Sequence, residues 1–216
     1  MKVSTLRIID RWVGTGLTLV LTFARKLSSY MLRQEAADPI QKILFVKPAE
    51  QGSTVLAYGA IMRAVKMVGP NNLYFLVFQE NRFILDALSI IPVQNVIPIK
   101  TGSVISLLVS TAAAVRRMKS LRLDAAIDME FFARASAVFT YLSGATRRVG
   151  FHAYAGDGPC RGNLMTHRLV YNPHIHTSQA FELMVEALNH PAELFPAFDA
   201  KAPAVGGTAL PTFSPQ

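Results

Sequence analysis

Hydrophobic positions along the chain follow two regimes. Up to residue 33 they form one apolar run between basic ends: thirteen uncharged residues, from Trp12 to Ala24, lie between Arg11 and Arg25. From Lys42 onward, short continuous apolar runs alternate with longer stretches of helical period. Ile43-Leu-Phe-Val46 predicts a buried strand, followed by a polar loop over 48–53 and a helix over 54–68 that stops at Gly69-Pro70. Leu73-Tyr-Phe-Leu-Val-Phe78 predicts a second strand, and a short helix opens at Asn81 and runs through Leu88. A third strand spans 95–99, with Pro98 marking it as short or as an edge. A helix over 103–118 has a basic last turn (Arg116, Arg117, Lys119) that suits the negative end of its dipole.

Strands over 125–129 and 148–151 flank a helix over 132–142. Residues 152–166 predict a loop, 167–171 a sixth strand or extended segment, and Thr177 or Ser178 caps a last helix through Leu188. Residues 191–216 carry five prolines and Gly206-Gly207, which predicts a linker or disordered end, or a strand or two whose partners lie elsewhere. Alternating helices and continuously apolar strands imply an α/β fold, a Rossmann-like parallel sheet with helices on both faces. The expected organisation is a segment over 1–33, a Rossmann-like domain over 40–190 and a Pro-rich remainder over 191–216.

Composition narrows this picture. A hydrophobic fraction of 51% over 216 residues excludes a disordered chain, and the single cysteine, Cys160, excludes an intramolecular disulfide framework or a cysteine-rich zinc module. The net charge of +8 is unevenly placed: residues 1–33 hold six basic side chains against Asp10 alone, whereas the other 183 carry 16 basic and 13 acidic groups. Nucleic acid needs a basic stripe on the folded body, whose net charge is only +3, so none is expected as a partner. As a helix, the run from Trp12 to Ala24 is about 20 Å long against a hydrocarbon core of about 30 Å, too short to span comfortably. Arg25, Lys26 and Leu27 follow where a signal peptide needs small residues. The expectation is a helix over 7–27 lying in the membrane interface, with Arg11, Trp12, Phe23, Arg25 and Lys26 at the lipid surface. The alternative is a helix packed on the protein's own core or across a dimer interface.

In an open parallel sheet, ligands bind outside the carboxyl ends of the strands. After the first strand, Gly52 permits a tight turn and Ser53 or Thr54 can cap the next helix, whose free amides suit an anion or oxyanion. Glu50, just before them, can act as a general base toward a hydroxyl; the alternative is a solvated loop charge. With one glycine and no Gly-Lys-Ser/Thr, the loop is neither a dinucleotide fingerprint nor a P-loop. Asp128 and Glu130 alternate onto one side of the fourth strand's end, where Asp128 either anchors a ligand or caps the next helix. Arg147 and Arg148 open the fifth strand at its opposite end, which favours a structural role. His174 and His176 lack a nearby carboxylate or third ligand, so no metal is expected. No hydrolase triad or nucleophile elbow is present.

Four stretches in order carry a family resemblance: Lys42-Ile-Leu-Phe-Val-Lys47 with Gly52 and its helix, Asp124-Ala-Ala-Ile-Asp128, Ser143-Gly-Ala-Thr-Arg-Arg-Val-Gly-Phe151, and 174–188. Over residues 40–190 the chain resembles the N-terminal half of family 9 glycosyltransferases, the family of the ADP-heptose–lipopolysaccharide heptosyltransferases. Some members also begin with a basic-flanked apolar segment. The resemblance implies a GT-B fold of two facing Rossmann-like halves, the first binding the acceptor and the second the nucleotide-sugar donor, with inverting, metal-independent transfer and no cofactor. It places acceptor contacts on Gln51, Gly52, Ser53, Thr54, Asp128 and Glu130. The family's first loop usually carries Gly-Asp, whose aspartate is the base; here Gly52 is followed by Ser53, and Glu50 is the candidate base. A donor half needs well over a hundred further residues, a length set by domain size, and 26 Pro-rich ones remain, so the donor site is expected outside this chain.

These features together lead to an expected glycosyltransferase of bacterial envelope polysaccharide or lipopolysaccharide synthesis, peripheral at the cytoplasmic face of the inner membrane and acting on a lipid-linked or glycan acceptor. The alternative is a non-catalytic, membrane-associated half-domain that binds an acceptor glycan or a separate donor subunit.

Overall fold

A computed structural model of the chain describes residues 10–31, 39–49, 51–131, 133–153, 161–192 and 194–195. The apolar runs pair into one wholly parallel sheet: β1 (Ile43–Val46), β2 (Leu73–Phe78), β3 (Val96–Ile99), β4 (Ala125–Asp128), β5 (Arg147–Ala153), β6 (His167–Val170) and β7 (Leu194–Phe195). Their order is β3-β2-β1-β4-β5-β6-β7, the doubly wound arrangement in which the chain reverses direction beside β1. Pro98 lies on β3, the edge strand, where its missing N–H costs no ladder bond. The Pro-rich remainder begins by joining the sheet, since β7 pairs with β6.

Seven helices accompany the strands among the described residues: α1 (Thr15–Met31), which follows a π-helical turn at Asp10–Gly14, then α2 (Gln51–Leu56), α3 (Tyr58–Val68), α4 (Arg82–Leu88), α5 (Val104–Leu121), α6 (Arg134–Leu142) and α7 (Thr177–Glu186). Strand alternation sorts β1 into two cores. Ile43 and Phe45 face Ile61 of α3 and Phe181 and Met184 of α7, whereas Leu44 and Val46 face Met118 of α5 and Phe139 of α6. All four β1 side chains are fully buried, which is why the run carries no polar residue. At the amino ends of the strands, the Asp124 carboxylate accepts from the amides of Gln41 (2.9 Å) and Lys42 (2.8 Å), tying the entry of β1 to β4.

Two helix starts differ from expectation. The helix after β1 begins at Gln51, a turn earlier than 54, and breaks at Ala57, whose amide donates to both Ser53 O and Thr54 O at 3.2 Å. His176, rather than Thr177 or Ser178, caps α7: its ring accepts from Ser178 N while its own amide donates to Gln179 Oε1.

The N-terminal helix is built into the domain. Between β5 and β6 the described residues 161–166 form no helix, and α1 lies against this segment and α6. Leu21 packs on a cluster of Ala137, Val138, Leu164 and Met165. The Asp10 carboxylate accepts from the first amides of α6, Arg134 N (3.2 Å) and Ala135 N (2.7 Å), and neutralises the positive end of that helix. Asn163 N donates to Thr22 Oγ1 at 3.0 Å, and Arg25 donates to Asn163 O (2.6 Å) and Oδ1 (2.8 Å).

Arg25 thus points into the domain instead of toward a lipid surface. Burial lowers its pKa, with Arg168 adding to the effect. Its neighbour Arg148, stacked 5.4 Å from the Tyr141 ring, is lowered to about 10 by burial and by Arg25. The opposite face of α1 and of the turn before it is apolar and open to solvent, with Phe23 72% and Trp12 75% exposed. Lys26 is also exposed, and the Arg11 side chain lies outside the described residues. No helix among the described residues is long and apolar enough to cross a membrane.

Two measurements test these packing arguments. Gly162 has φ +69°, and a Cβ there would lie 2.7 Å from Thr22 Oγ1 and 3.0 Å from Thr18 O. Gly162→Ala therefore pushes α1 off the domain, with faster amide exchange in α1 and a Tm lowered by several degrees; an unchanged exchange pattern contradicts the docking. His167 is buried, contacts His190 O through Nε2 (3.0 Å) and Thr166 Oγ1 through Nδ1 (2.8 Å). Burial pushes its pKa below the usual histidine range, and Arg147 and Arg148 add to the fall while the His190 carbonyl opposes it. A depressed histidine contributes stability above its unfolded pKa of about 6.5 that is lost as pH falls. Urea unfolding at pH 7 and pH 5 will show that loss, and His167→Gln will reduce it.

Candidate functional site

All strands are parallel, so Lys47, Asp128, Glu130 and Tyr171, which end or follow β1, β4 and β6, meet at one edge of the sheet. Lys47 continues the β1 run and is fully buried. Its Nζ lies 3.7 Å from Glu130 Oε1 and 5.8 Å from the centre of the Phe181 ring, and makes no hydrogen bond among the described residues. Glu130 Oε1 also accepts from Ala49 N at 2.8 Å. Pro48 O accepts from Phe78 N (3.1 Å) and Asn81 Nδ2 (2.9 Å), and Lys47 N donates to Leu76 O (3.1 Å). The loop leaving β1 is therefore held residue by residue up to Ala49, immediately before Glu50.

Asp128 belongs to a second network. Its carboxylate pairs with Arg161, accepts from Ser136 Oγ (3.1 Å) and receives the Glu130 amide (3.1 Å). Arg161 donates further to Ala133 O (3.0 Å), Phe151 O (3.2 Å) and Ser136 Oγ (3.0 Å), joining β4, β5 and α6. Complete burial pushes the Asp128 carboxyl above its ordinary pKa; Arg161, the Glu130 amide and the Ser136 hydroxyl pull it back toward the ionised form.

Asp128 and Glu130 were expected on one side of the strand, but their side chains enter different networks. The strand ends at Asp128, so two-residue alternation does not carry through to Glu130. Asp128 serves Arg161 and Ser136 rather than capping α6, whose first amides Asp10 takes. Gly52 is helical, its φ is not positive, and a Cβ there meets nothing within 4 Å, so no tight turn depends on it. Ser53 and Thr54 lie inside the first turn of α2 rather than at its cap, with Thr54 buried. Glu50 and the Gln51 side chain lie outside the described residues.

Three features of this edge escaped the sequence reading. Lys47 carried a signal, a charge directly continuing a run that must be buried. Arg161 carried none, because it sits in a Gly-rich loop far from Asp128 in the chain. The third is an aromatic group: Phe131 stacks on Phe151 (5.3 Å between ring centres), Tyr171 meets both edge-on at 5.4 Å, and Phe181 lies 5.6 Å from Phe131. An open cavity of about 500 Å³ lined by Asn71, Arg82, Asp86 and Ile91 shares none of these residues. Among the described residues no group of three histidine, cysteine, aspartate or glutamate side chains is placed to hold a metal ion.

Removing one member of a buried ion pair leaves the other charge uncompensated, at about 3–5 kcal/mol. Lys47→Met and Glu130→Gln are each expected to destabilise on that scale in urea unfolding, and the double variant to lose less than the sum. Strict additivity contradicts the pairing.

The sequence matches no protein-family model, and no curated protein matches it. The fold does have solved neighbours. A family 9 glycosyltransferase from Veillonella parvula superimposes with a TM-score of 0.57 at 11% identity, over 70% of this chain and 42% of that one. The E. coli heptosyltransferase WaaC, solved with ADP-2-deoxy-2-fluoro heptose, superimposes with a TM-score of 0.56 at 15% identity, over 70% of this chain and 50% of that one. WaaC solved with ADP gives the same score and identity over 49% of its length. The matched region spans half or less of these structures. The chain has an α/β fold similar to that of family 9 glycosyltransferases.

Proposed function

We propose that this domain is the acceptor-side half of a glycosyltransferase of bacterial envelope polysaccharide or lipopolysaccharide synthesis. The observation that carries this reading is the parallel sheet, similar over 70% of the chain to family 9 glycosyltransferases that include a heptosyltransferase. The four ordered sequence stretches support it independently. In the proposed reaction Glu50 takes the proton of an acceptor hydroxyl, the oxygen attacks the anomeric carbon of a nucleotide sugar with inversion, and the nucleoside diphosphate leaves with the bonding electrons. The Lys47–Glu130 pair fixes the loop up to Ala49, the residue before Glu50. Gln51, Gly52, Ser53 and Thr54 are the proposed acceptor contacts from α2, with Asp128 at the end of β4 and Glu130 just after it on the other side. A second unit holds the nucleotide sugar, as the share of the solved structures that is matched supports. The domain works peripherally at the cytoplasmic face of the inner membrane, reached through 7–27, where the outward Trp12, Phe23 and Lys26 support the contact.

One observation favours a second reading, a non-catalytic half-domain. Ser53 stands where the family resemblance puts the base, and two carboxylates of this edge, Asp128 and Glu130, are paired with Arg161 and Lys47.

Calorimetry and a transfer assay separate the two. The 216-residue chain is expected to bind a lipopolysaccharide-core glycan and not a nucleotide sugar; tight nucleotide-sugar binding contradicts the two-unit arrangement. With the donor-binding unit supplied, Glu50→Gln is expected to reduce turnover by about 100-fold or more. Unchanged turnover removes Glu50 from the mechanism, and acceptor binding without transfer by the wild type supports the non-catalytic reading.

A further inference from the structure

A second helix carries an exposed apolar stripe that the core does not use. On α5, Ile105 is 75% and Leu108 65% exposed, and Val104 and Val109 are exposed beside them. The opposite side of α5 buries Ala114 and Met118 against the sheet. The stripe therefore faces away from the sheet, as four apolar residues within the helix's first six positions.

The placement of this stripe relates it to α1. α5 and α6 cover the same face of the sheet, and α1 packs on α6, so the stripes of α1 and α5 belong to one side of the domain. Each lies on the side of its helix opposite to the one that packs. Their starts also share a level. α5 follows β3 and α6 follows β4, so both begin at the carboxyl edge of the sheet, and Asp10 at the start of α6 brings Trp12 and Val13 there too.

Charge identifies the occupant. No acidic residue occurs between Asp10 and Glu35, or between Asp86 and Asp124, the two segments that carry these helices. Over the same spans stand Arg11, Arg25, Lys26 and Arg33, and Lys100, Arg116, Arg117, Lys119 and Arg122. Asp10 itself is committed to α6. Lys26, Lys100, Arg116 and Lys119 are solvent-exposed. Apolar stripes on helices whose own segments carry cations and no acid, with an exposed tryptophan at one end, match the boundary between acyl chains and anionic headgroups.

The geometry points to a two-helix lipid-docking face: α5 enters an anionic bilayer surface through Val104, Ile105, Leu108 and Val109 alongside the α1 stripe. This rests on the peripheral-membrane reading of α1 and deepens it, because two separated contacts fix an orientation where one helix leaves the domain free to roll. In that orientation the edge carrying Lys47, Glu130 and the aromatic group stands at headgroup level, where a lipid-linked acceptor presents its sugar.

The test is flotation of the full chain with vesicles of neutral phosphatidylcholine, with and without about a third phosphatidylglycerol. Wild type is expected to bind the anionic vesicles and to lose binding as salt rises. Ile105→Ser/Leu108→Ser/Val109→Ser is expected to keep the thermal melt, since these side chains are exposed, and to weaken vesicle partition about tenfold or more. Arg116→Gln/Lys119→Gln is expected to lower the preference for anionic over neutral vesicles. If Trp12→Ser/Phe23→Ser abolishes binding while the α5 triple variant binds like wild type, the α5 proposal is overturned and the α1 reading stands. If wild type ignores vesicles of both compositions, both membrane readings fall and the glycosyltransferase reading is untouched. An α5 triple variant that changes self-association in sedimentation but not vesicle partition assigns the stripe to a second copy of the chain and overturns the proposal.

Discussion

A parallel sheet whose strands have no water-facing side must be covered on both faces across its whole width. In this protein α3 and α7 meet the requirement on one face of β1, and α5 and α6 on the other. Farther along the sheet the covering changes, because the described part of the β5–β6 crossover contains no helix and α1 lies against it instead. That substitution explains the composition of the inner side of α1. It approaches backbone closely through Thr18 and Thr22 at Gly162, packs one half-buried leucine, and carries an arginine that hydrogen-bonds Asn163. The helix that resembles a detachable appendage in sequence is part of the covering layer.

The carboxyl edge of the sheet shows the cost of placing charge beside such a core. Lys47 and Asp128 are fully buried, and each is tolerable only because an opposite charge is folded against it, Glu130 in one case and Arg161 in the other. Each pair also performs a mechanical task. Glu130 holds the backbone of the loop leaving β1 through Ala49, whereas Arg161 gathers backbone carbonyls from Ala133 and Phe151 and anchors the return of the β5–β6 connection. Buried charge thus becomes a positioning device for two loops at the edge where α/β sheets bind ligands.

The apolar outer side of α1 follows from the same economy of faces. Most surface helices turn most of their apolar residues inward; α1 turns Thr18, Thr22 and Arg25 inward with Leu21, and α1 and the turn before it leave Trp12, Leu19, Val20 and Phe23 outward. On the proposed membrane reading this face and the stripe on α5 meet an apolar environment outside the domain, and the cations of both segments favour an anionic one.

The alternation of strands and helices, the parallel sheet and the edge position of β3 were legible in the chain because they depend on local periodicity and on one proline's missing N–H. The resemblance to family 9 glycosyltransferases was legible for a similar reason: its stretches are the strand ends and turns of that repeating unit. The concentration of positive charge and the outward apolar residues of α1 were also present in its pattern. What only the tertiary structure decided were the partners. Periodicity cannot say that Arg25 reaches Asn163, that Asp10 caps a helix more than a hundred residues away, or that Asp128 and Glu130 part company where β4 ends. Such contacts join distant segments, and their energies come from desolvating particular charges against particular neighbours, a quantity that exists only once the chain has brought them together.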